Sequence, residues 1–163
     1  MKRATVITVS DSVFSGGRSD LSGFAARQAL EVAGLEVGEP VVVPDERSAI
    51  AEAILEAAAA SAFVVTTGGT GLSPRDVTPE ATLDVIDREV PGLAEQLRAE
   101  GLRKTPFAVL SRGVAGLVGS TLVVNLPGSP AGVRNGIEVL RTVLRHALDI
   151  AAGDTSHTSS SKR

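Results

Sequence analysis

The chain contains no cysteine, no tryptophan and no tyrosine. Without thiols it forms no disulfide, supplies no thiolate nucleophile and cannot ligate an iron–sulfur cluster by itself. Histidine is nearly as scarce. His146 and His157 are the only two, which excludes a histidine-rich zinc site. Phe14, Phe24, Phe63 and Phe107 are the whole aromatic complement, and the net charge is −3. A mildly acidic chain with few aromatics and no basic run is a poor nucleic-acid binder. No stretch approaches the ~20 consecutive apolar residues that a membrane-crossing helix needs. The apolar run near the N-terminus is too short for a secretory signal. The expectation is therefore a cytoplasmic protein that contacts neither nucleic acid nor membrane.

What is present is a large aliphatic complement. Val, Leu, Ile and Ala must build the core, a composition suited to a buried parallel sheet between Ala-rich helices. The length of 163 residues fits one domain, and a domain of this size buries roughly 70% of the surface its unfolded chain exposes. The expected division is a single domain over 1–153 and a Ser/Thr-rich tail over 154–163 without fixed structure.

Strands are expected at 4–10, 35–43, 62–66 and 122–125. Gly38 and Pro40 interrupt the second and mark it as an edge. Residues 11–22 read as a loop, and 108–118 as short strands broken by Gly113, Gly116 and Gly119. Helices are expected at 23–33, capped by Asp20 or Ser22, and after Ser48, with Ile50, Ile54 and Leu55 on one face. Further helices are expected from Thr78 as N-cap with Pro79 and Glu80 behind it, over 91–104, and from Ser129-Pro130 to about Ala152, stopped by Gly153. Strands alternating with helices imply an α/β fold: a three-layer α/β/α arrangement with a mostly parallel central sheet and right-handed crossovers. Ligands of such sheets lie at the carboxyl ends of the strands, so the residues that follow each strand become the candidates.

The strongest candidate segment is Thr66-Thr67-Gly68-Gly69-Thr70-Gly71, followed by Arg75-Asp76. Three glycines in four positions let backbone approach a ligand closely. Successive N–H groups in such a turn form an anion-binding concavity. Arg75 can fork onto a phosphate, and Asp76 can hold Mg²⁺, which favours carboxylate, water and phosphate oxygens. The loop is not a Walker A motif, because no Gly-Lys-Ser/Thr follows, and the first strand lacks a G-x-G-x-x-G fingerprint. A nucleotide-dependent oxidoreductase is therefore disfavoured. Pro127-Gly128-Ser129-Pro130 has two readings of equal weight: a plain turn and helix start, or a helix N-terminus offered to an anionic ligand. Gly132 and Gly136 cost helix stability, which points to a close approach by some group. Asp45, in isolation, is a solvated turn acid or a cap. Arg134, Arg141 and Arg145 are helix-spaced and read as a solvated face or an interface.

Taken in order, TTGGTG, RDVTPEA, LSRGVAG at 110–116 and NLPGSP, with the opening VSDS and the later DLSG, resemble the Mog/MoaB-type molybdopterin adenylyltransferase family of molybdenum-cofactor biosynthesis. The resemblance covers the chain from the first strand to the last helix. It implies a molybdopterin-binding domain, a homotrimer with a hexamer as the alternative, and transfer of AMP from Mg-ATP to the terminal phosphate of molybdopterin. It also implies hand-over of the adenylylated pterin to a molybdate-insertion protein. By the same resemblance Asp45 and Asp76 are the catalytic and metal-binding acids. Thr67, Gly68, Gly69, Thr70, Gly71 and Arg75 fall on the nucleotide side. Ser10, Asp11, Asp20, Ser22, Gly23, Ser111, Asn125, Pro127, Gly128 and Ser129 fall on the pterin or shared-substrate side. Two alternatives are a non-catalytic pterin-binding scaffold of the same family and the homologous domain of a molybdate insertase. The second normally requires further domains.

Overall fold

The computed structural model describes residues 1–156. In chain order the elements are β1 (Arg3–Val9), α1 (Asp11–Phe14), α2 (Leu21–Val32), β2 (Glu36–Val37), β3 (Val41–Val43) and α3 (Arg47–Ala60). Then follow β4 (Phe63–Thr67), α4 (Thr78–Val85), β5 (Arg88–Glu89), α5 (Pro91–Leu102), a 3-10 turn at Pro106–Leu110, β6 (Ala115–Val118), β7 (Thr121–Leu126) and α6 (Pro130–Ala151). The strand order is β2-β1-β4-β7-β6-β5, with β3 also pairing β1. β1, β2, β3, β4 and β7 run parallel. The β5/β6 and β6/β7 pairs are antiparallel.

The period of two along each central strand divides the core between two faces. Ala4 and Val6 of β1, Phe63 and Val65 of β4, and Leu122, Val124 and Leu126 of β7 pack with α2 and α6. Ile7, Val64 and Val123 point the other way, onto α3 and Ala81 of α4. Helices thus cover both faces, as the alternation of elements predicts. In α6 the buried stripe is Val133, Ile137, Leu140, Leu144 and Leu148. Its spacing follows the helical repeat, and each large side chain contributes roughly 1.5–3 kcal/mol by burial.

Several local expectations change. The 11–22 segment contains the short helix α1. The second strand splits into β2 and β3 at Gly38–Pro40, where proline cannot donate to a ladder. Ser48 does not cap α3; its N-cap is Glu46, which makes no side-chain cap hydrogen bond. Ala53 and Ala57, not Leu55, complete the buried face with Ile50 and Ile54, and Leu55 is exposed. Thr78 is not an N-cap either, because its hydroxyl donates to the Gly68 carbonyl at 2.9 Å. Residues 106–110 form a 3-10 turn where strand was expected. The expected tail begins within the described residues at Asp154, Thr155 and Ser156; residues 157–163, His157 among them, lie outside them. No helix among the described residues is long and apolar enough to cross a membrane.

Candidate functional site

The carboxyl ends of β1, β3, β4 and β7 deliver their loops to one end of the sheet. At their centre Gly68 has φ +97° and lies against the Val9 carbonyl. Its N–H donates to the Leu126 carbonyl at 3.2 Å. Thr67 Oγ1 donates to the Pro127 carbonyl at 2.7 Å, and a Cβ on Gly128 would stand 3.3 Å from Gly68 Cα. Three strand ends are thereby locked together with no room for side chains.

Two cavities open beside this junction. The smaller, about 250 Å³, includes Ser10, Asp20, Ser22, Asp45, Thr67 and Asp76 in its wall, with Gly68, Gly69 and Gly128. The larger, about 940 Å³, is bounded by Thr70, Gly71, Ser111, Asn125, Pro127 and Ser129 on the loop side. Its far wall comes from α5, the 3-10 turn and α6, and includes Leu97, Phe107 and Leu110. Among the described residues, three cations line it, Arg98, Lys104 and Arg134, and no carboxylate does. The smaller cavity, with Asp20, Asp45 and Asp76 against Arg18, is acidic in balance, the larger is cationic, and both border the glycine loop. The cations were not legible in the sequence. Arg134 sits in an arginine series that reads as a solvated face, and Arg98 and Lys104 follow the polar pattern of an amphipathic helix.

The acids have distinct surroundings. The Asp11 N–H donates to Asp45 Oδ2 and the Asp45 N–H donates to Asp11 Oδ1, both at 2.9 Å. Arg75 donates from Nε and NH2 to Asp11 Oδ2 at 3.0 and 2.7 Å. Those hydrogen bonds from Arg75, followed by the one from Asp45, hold the Asp11 carboxyl below its ordinary range. Asp11, Arg75 and Gly23 line neither cavity. Asp76 Oδ2 accepts from Ser73 N–H at 3.0 Å. Among the described residues, no hydrogen bond reaches Asp45 Oδ1 or Asp76 Oδ1. A Cβ on Gly69 would lie 3.3 Å from Asp45 Oδ1, and one on Gly71 would lie 2.8 Å from Asp76 Oδ2.

Other sequence candidates serve the scaffold. Both oxygens of Asp20 are engaged, one by Gly23 N–H at 2.8 Å and the other by Thr8 Oγ1 at 2.8 Å. Asp20 is thus the cap of α2, and Gly23 is glycine because a Cβ would strike that carboxylate at 2.1 Å. Asn125, 4% exposed, donates to Thr66 Oγ1 and Thr82 Oγ1 and accepts from Val114 N–H. It ties β7 to β4, α4 and the approach to β6. Ser129 accepts from Gly132 N–H and caps α6. The groups that Gly132 and Gly136 accommodate are the protein's own Pro127 and Leu126.

The family described as probable molybdopterin binding domain matches residues 5–146. This chain belongs to that family. A crystal structure of the molybdopterin biosynthesis enzyme MoaB from Thermus thermophilus is similar to it at 50% identity, with a TM-score of 0.88 over 94% of this chain and 98% of that one. A molybdopterin adenylyltransferase of Helicobacter pylori (strain J99) is 36% identical over 91% of this chain and 87% of its own length. A molybdenum cofactor biosynthesis bifunctional protein of Chlorobaculum tepidum is 39% identical over 93% of this chain and 49% of its own. The chain spans about half the length, or less, of this and two further curated relatives. As a member of the molybdopterin-binding family it belongs to molybdenum-cofactor biosynthesis.

Within this family member, burial pushes the Asp45 carboxyl above its ordinary range, and the charges of Asp11 and Asp76 push the same way. The hydrogen bond from Asp11 and the charge of Arg75 oppose them. A folded-state pKa above the unfolded one means that the folded protein binds the extra proton. Stability from this group is present at low pH and lost as pH rises from the ordinary aspartate value through the raised one. At neutral pH the ionised Asp45 carboxylate is therefore less favourable in the folded protein than in the unfolded chain. Asp45→Asn, whose amide oxygen still accepts from Asp11 N–H, is expected to raise the thermal midpoint at pH 7. The gain should vanish near pH 3, and a midpoint at pH 7 equal to or below that of the parent would refute the argument.

Proposed function

We propose that this protein transfers AMP from Mg-ATP to the terminal phosphate of molybdopterin, releasing pyrophosphate. The observation that carries this reading is the meeting of an acidic and a cationic cavity at one glycine loop. The chain's similarity to the molybdopterin adenylyltransferase of Helicobacter pylori (strain J99) supports it.

The acidic cavity, at about 250 Å³, is smaller than the roughly 300–1,000 Å³ of whole small-molecule pockets. It suits the metal-phosphate end of ATP, next to Thr67, Gly68 and Gly69, while Thr70 and Gly71 of the same loop face the larger cavity. The larger cavity suits the pterin, with apolar walls for its body and Arg98, Lys104 and Arg134 for its phosphate. Ser111, Pro127 and Ser129 stand on that side, and Ser10, Ser22 and Gly128 on the other.

The donor set fits magnesium. Asp45 and Asp76 each keep one free carboxylate oxygen, and no group of three or more candidate ligands occurs among the described residues. Two carboxylates completed by phosphate and water are the usual setting for this ion. When bound, it supplies neutralisation of the phosphate charge and orients the oxygens. Asp45 and Asp76 would hold it, and neither acts as a covalent nucleophile. The attacking phosphate monoester is already anionic near neutral pH, so the chain need not supply a strong base. Arg75 can exchange Asp11 for an incoming phosphate, trading one charge-assisted pair for another.

A homotrimer and hand-over to a molybdate-insertion protein belong to the same reading. In Chlorobaculum tepidum the matching segment is about half of a bifunctional molybdenum-cofactor protein, which fits a product passed onward. Purified protein mixed with molybdopterin and Mg-ATP is expected to yield adenylylated pterin and pyrophosphate in equal amounts. Saturable pterin binding with no product above the protein-free control would reject the transferase reading in favour of a pterin-binding scaffold.

A further inference from the structure

One arginine outside both cavities touches the acidic loop at three points. Arg112 lies in the 110–116 segment, and its N–H donates to the Thr70 carbonyl at 2.8 Å. Its side chain donates from Nε to the Gly71 carbonyl at 2.8 Å and from NH2 to the Asp76 carbonyl at 2.7 Å. NH1 pairs with Glu80 Oε1 at the start of α4. Main chain and side chain together thus grip both ends of the 70–76 segment. Beyond Arg112, one other long-range anchor holds that segment among the described residues, the Arg75 side chain on Asp11 Oδ2; the rest is local, Asp76 N–H to the Ser73 carbonyl, Ser73 N–H to Asp76 Oδ2, and Arg75 N–H to Ser73 Oγ. Leu72, Ser73, Pro74 and Arg75 are exposed, so packing does not hold them.

From this geometry we infer that Arg112, oriented by Glu80, is a positioning residue that fixes the Asp76-bearing loop against the glycine turn. The inference rests on the reading of Asp76 as a ligand to the metal-phosphate end of ATP. A planar guanidinium suits this role. It serves two carbonyls and a carboxylate in one plane, whereas a lysine ammonium is a compact point donor without that fork. Glu80 is committed to the same contact. Its carboxyl lies below its ordinary range, first through the hydrogen bond from Arg112, and its second oxygen is buried without a partner. The ion pair with Arg112 sets the direction of the Glu80 carboxylate. Groups that orient a metal ligand typically change metal affinity or activity by about 10- to 100-fold when replaced.

The test uses the full chain with Arg112→Lys, Arg112→Ala and Glu80→Gln. Without ligands, amide hydrogen exchange should quicken at Ser73 and Asp76 in both Arg112 variants, while the amides of β4 and β7 keep their protection. With Mg-ATP and molybdopterin, the Mg²⁺ concentration for half-maximal transfer should rise by about 10- to 100-fold in Arg112→Lys. It should rise by less in Glu80→Gln, and pterin affinity should stay unchanged in both. Added guanidinium ion at non-denaturing concentration should restore part of the activity of Arg112→Ala. Should Arg112→Ala fail to fold, Arg112→Lys and Glu80→Gln carry the same comparisons. Parent-like exchange at Ser73 and Asp76 overturns the inference. So does a parent-like Mg²⁺ requirement, or a loss that tracks global unfolding without rescue. If the parent itself makes no adenylylated pterin, the functional reading fails. The exchange measurement then still decides whether Arg112 holds the loop.

Discussion

Asp76→Asn is expected to lower adenylyl transfer by at least ~100-fold, because a metal-held phosphate site supplies several kcal/mol of charge stabilisation and each 1.36 kcal/mol is about a factor of ten. The substitution is chosen for what it leaves intact. The amide oxygen of Asn can still accept from Ser73 N–H, the contact that Asp76 Oδ2 makes at 3.0 Å. The loop keeps its shape and only the charge is lost. Asp76→Ala should be at least as inactive, and its loop should also exchange amide hydrogen faster. Pterin affinity should be unchanged in both, because Asp76 lines the acidic cavity and not the cationic one. Near-normal turnover of Asp76→Asn at saturating Mg-ATP would remove the metal role from this residue. A parallel loss of pterin affinity would instead mean that the two cavities are not separate subsites.

Gly68→Ala should be the most destabilising change at the glycine loop, on the order of 3–5 kcal/mol. Two separate terms add. The backbone sits at φ +97°, which costs a residue with a Cβ roughly 1–2 kcal/mol. The new methyl would also stand 2.4 Å from the Val9 carbonyl oxygen. That oxygen belongs to the backbone of a central strand, so no rotamer change relieves the clash and β1 or the loop must shift. Gly34→Ala is the control, at φ +88° with nothing within 4 Å of the added carbon. It should cost only the backbone term. Urea or thermal unfolding of the two variants measures the difference directly. If they prove equally stable, the tight junction of β1, β4 and β7 at Gly68 is not a rigid one. A shifted loop should also lower adenylyl transfer, since Asp45 and Asp76 are placed relative to it.

Much of the architecture was readable from local pattern. Residues at 4–10, 62–66 and 122–125 are β-branched or apolar runs short enough to be buried parallel strands, and β1, β4 and β7 occupy the sheet centre. Gly68, Gly69, Thr70 and Gly71 follow such a strand, so their place at the carboxyl end of the sheet is a matter of chain connectivity. Misreadings arose where a polar side chain had a distant partner. Thr78 has the sequence of an N-cap, yet its hydroxyl is taken by the Gly68 carbonyl ten residues earlier. Asn125 lines the larger cavity and also ties Thr66, Thr82 and Val114 together through its amide, a structural role that no local pattern shows.

Periodicity, glycine placement and the missing thiols and aromatics were enough to specify a layered α/β chain with a glycine-rich loop at the carboxyl end of its sheet, because these depend on backbone sterics and on neighbours a few residues away. The presence of Asp45 and Asp76 in the wall of one cavity, the cationic wall from Arg98, Lys104 and Arg134, and the grip of Arg112 on Gly71 and Asp76 arose only when separate strand ends and helices came together. The Arg112 contacts and the two aspartates join residues about 30 to 40 positions apart, across different loops. Charge and hydrogen-bond partners at that range depend on which elements the core packs side by side, and no local pattern encodes that.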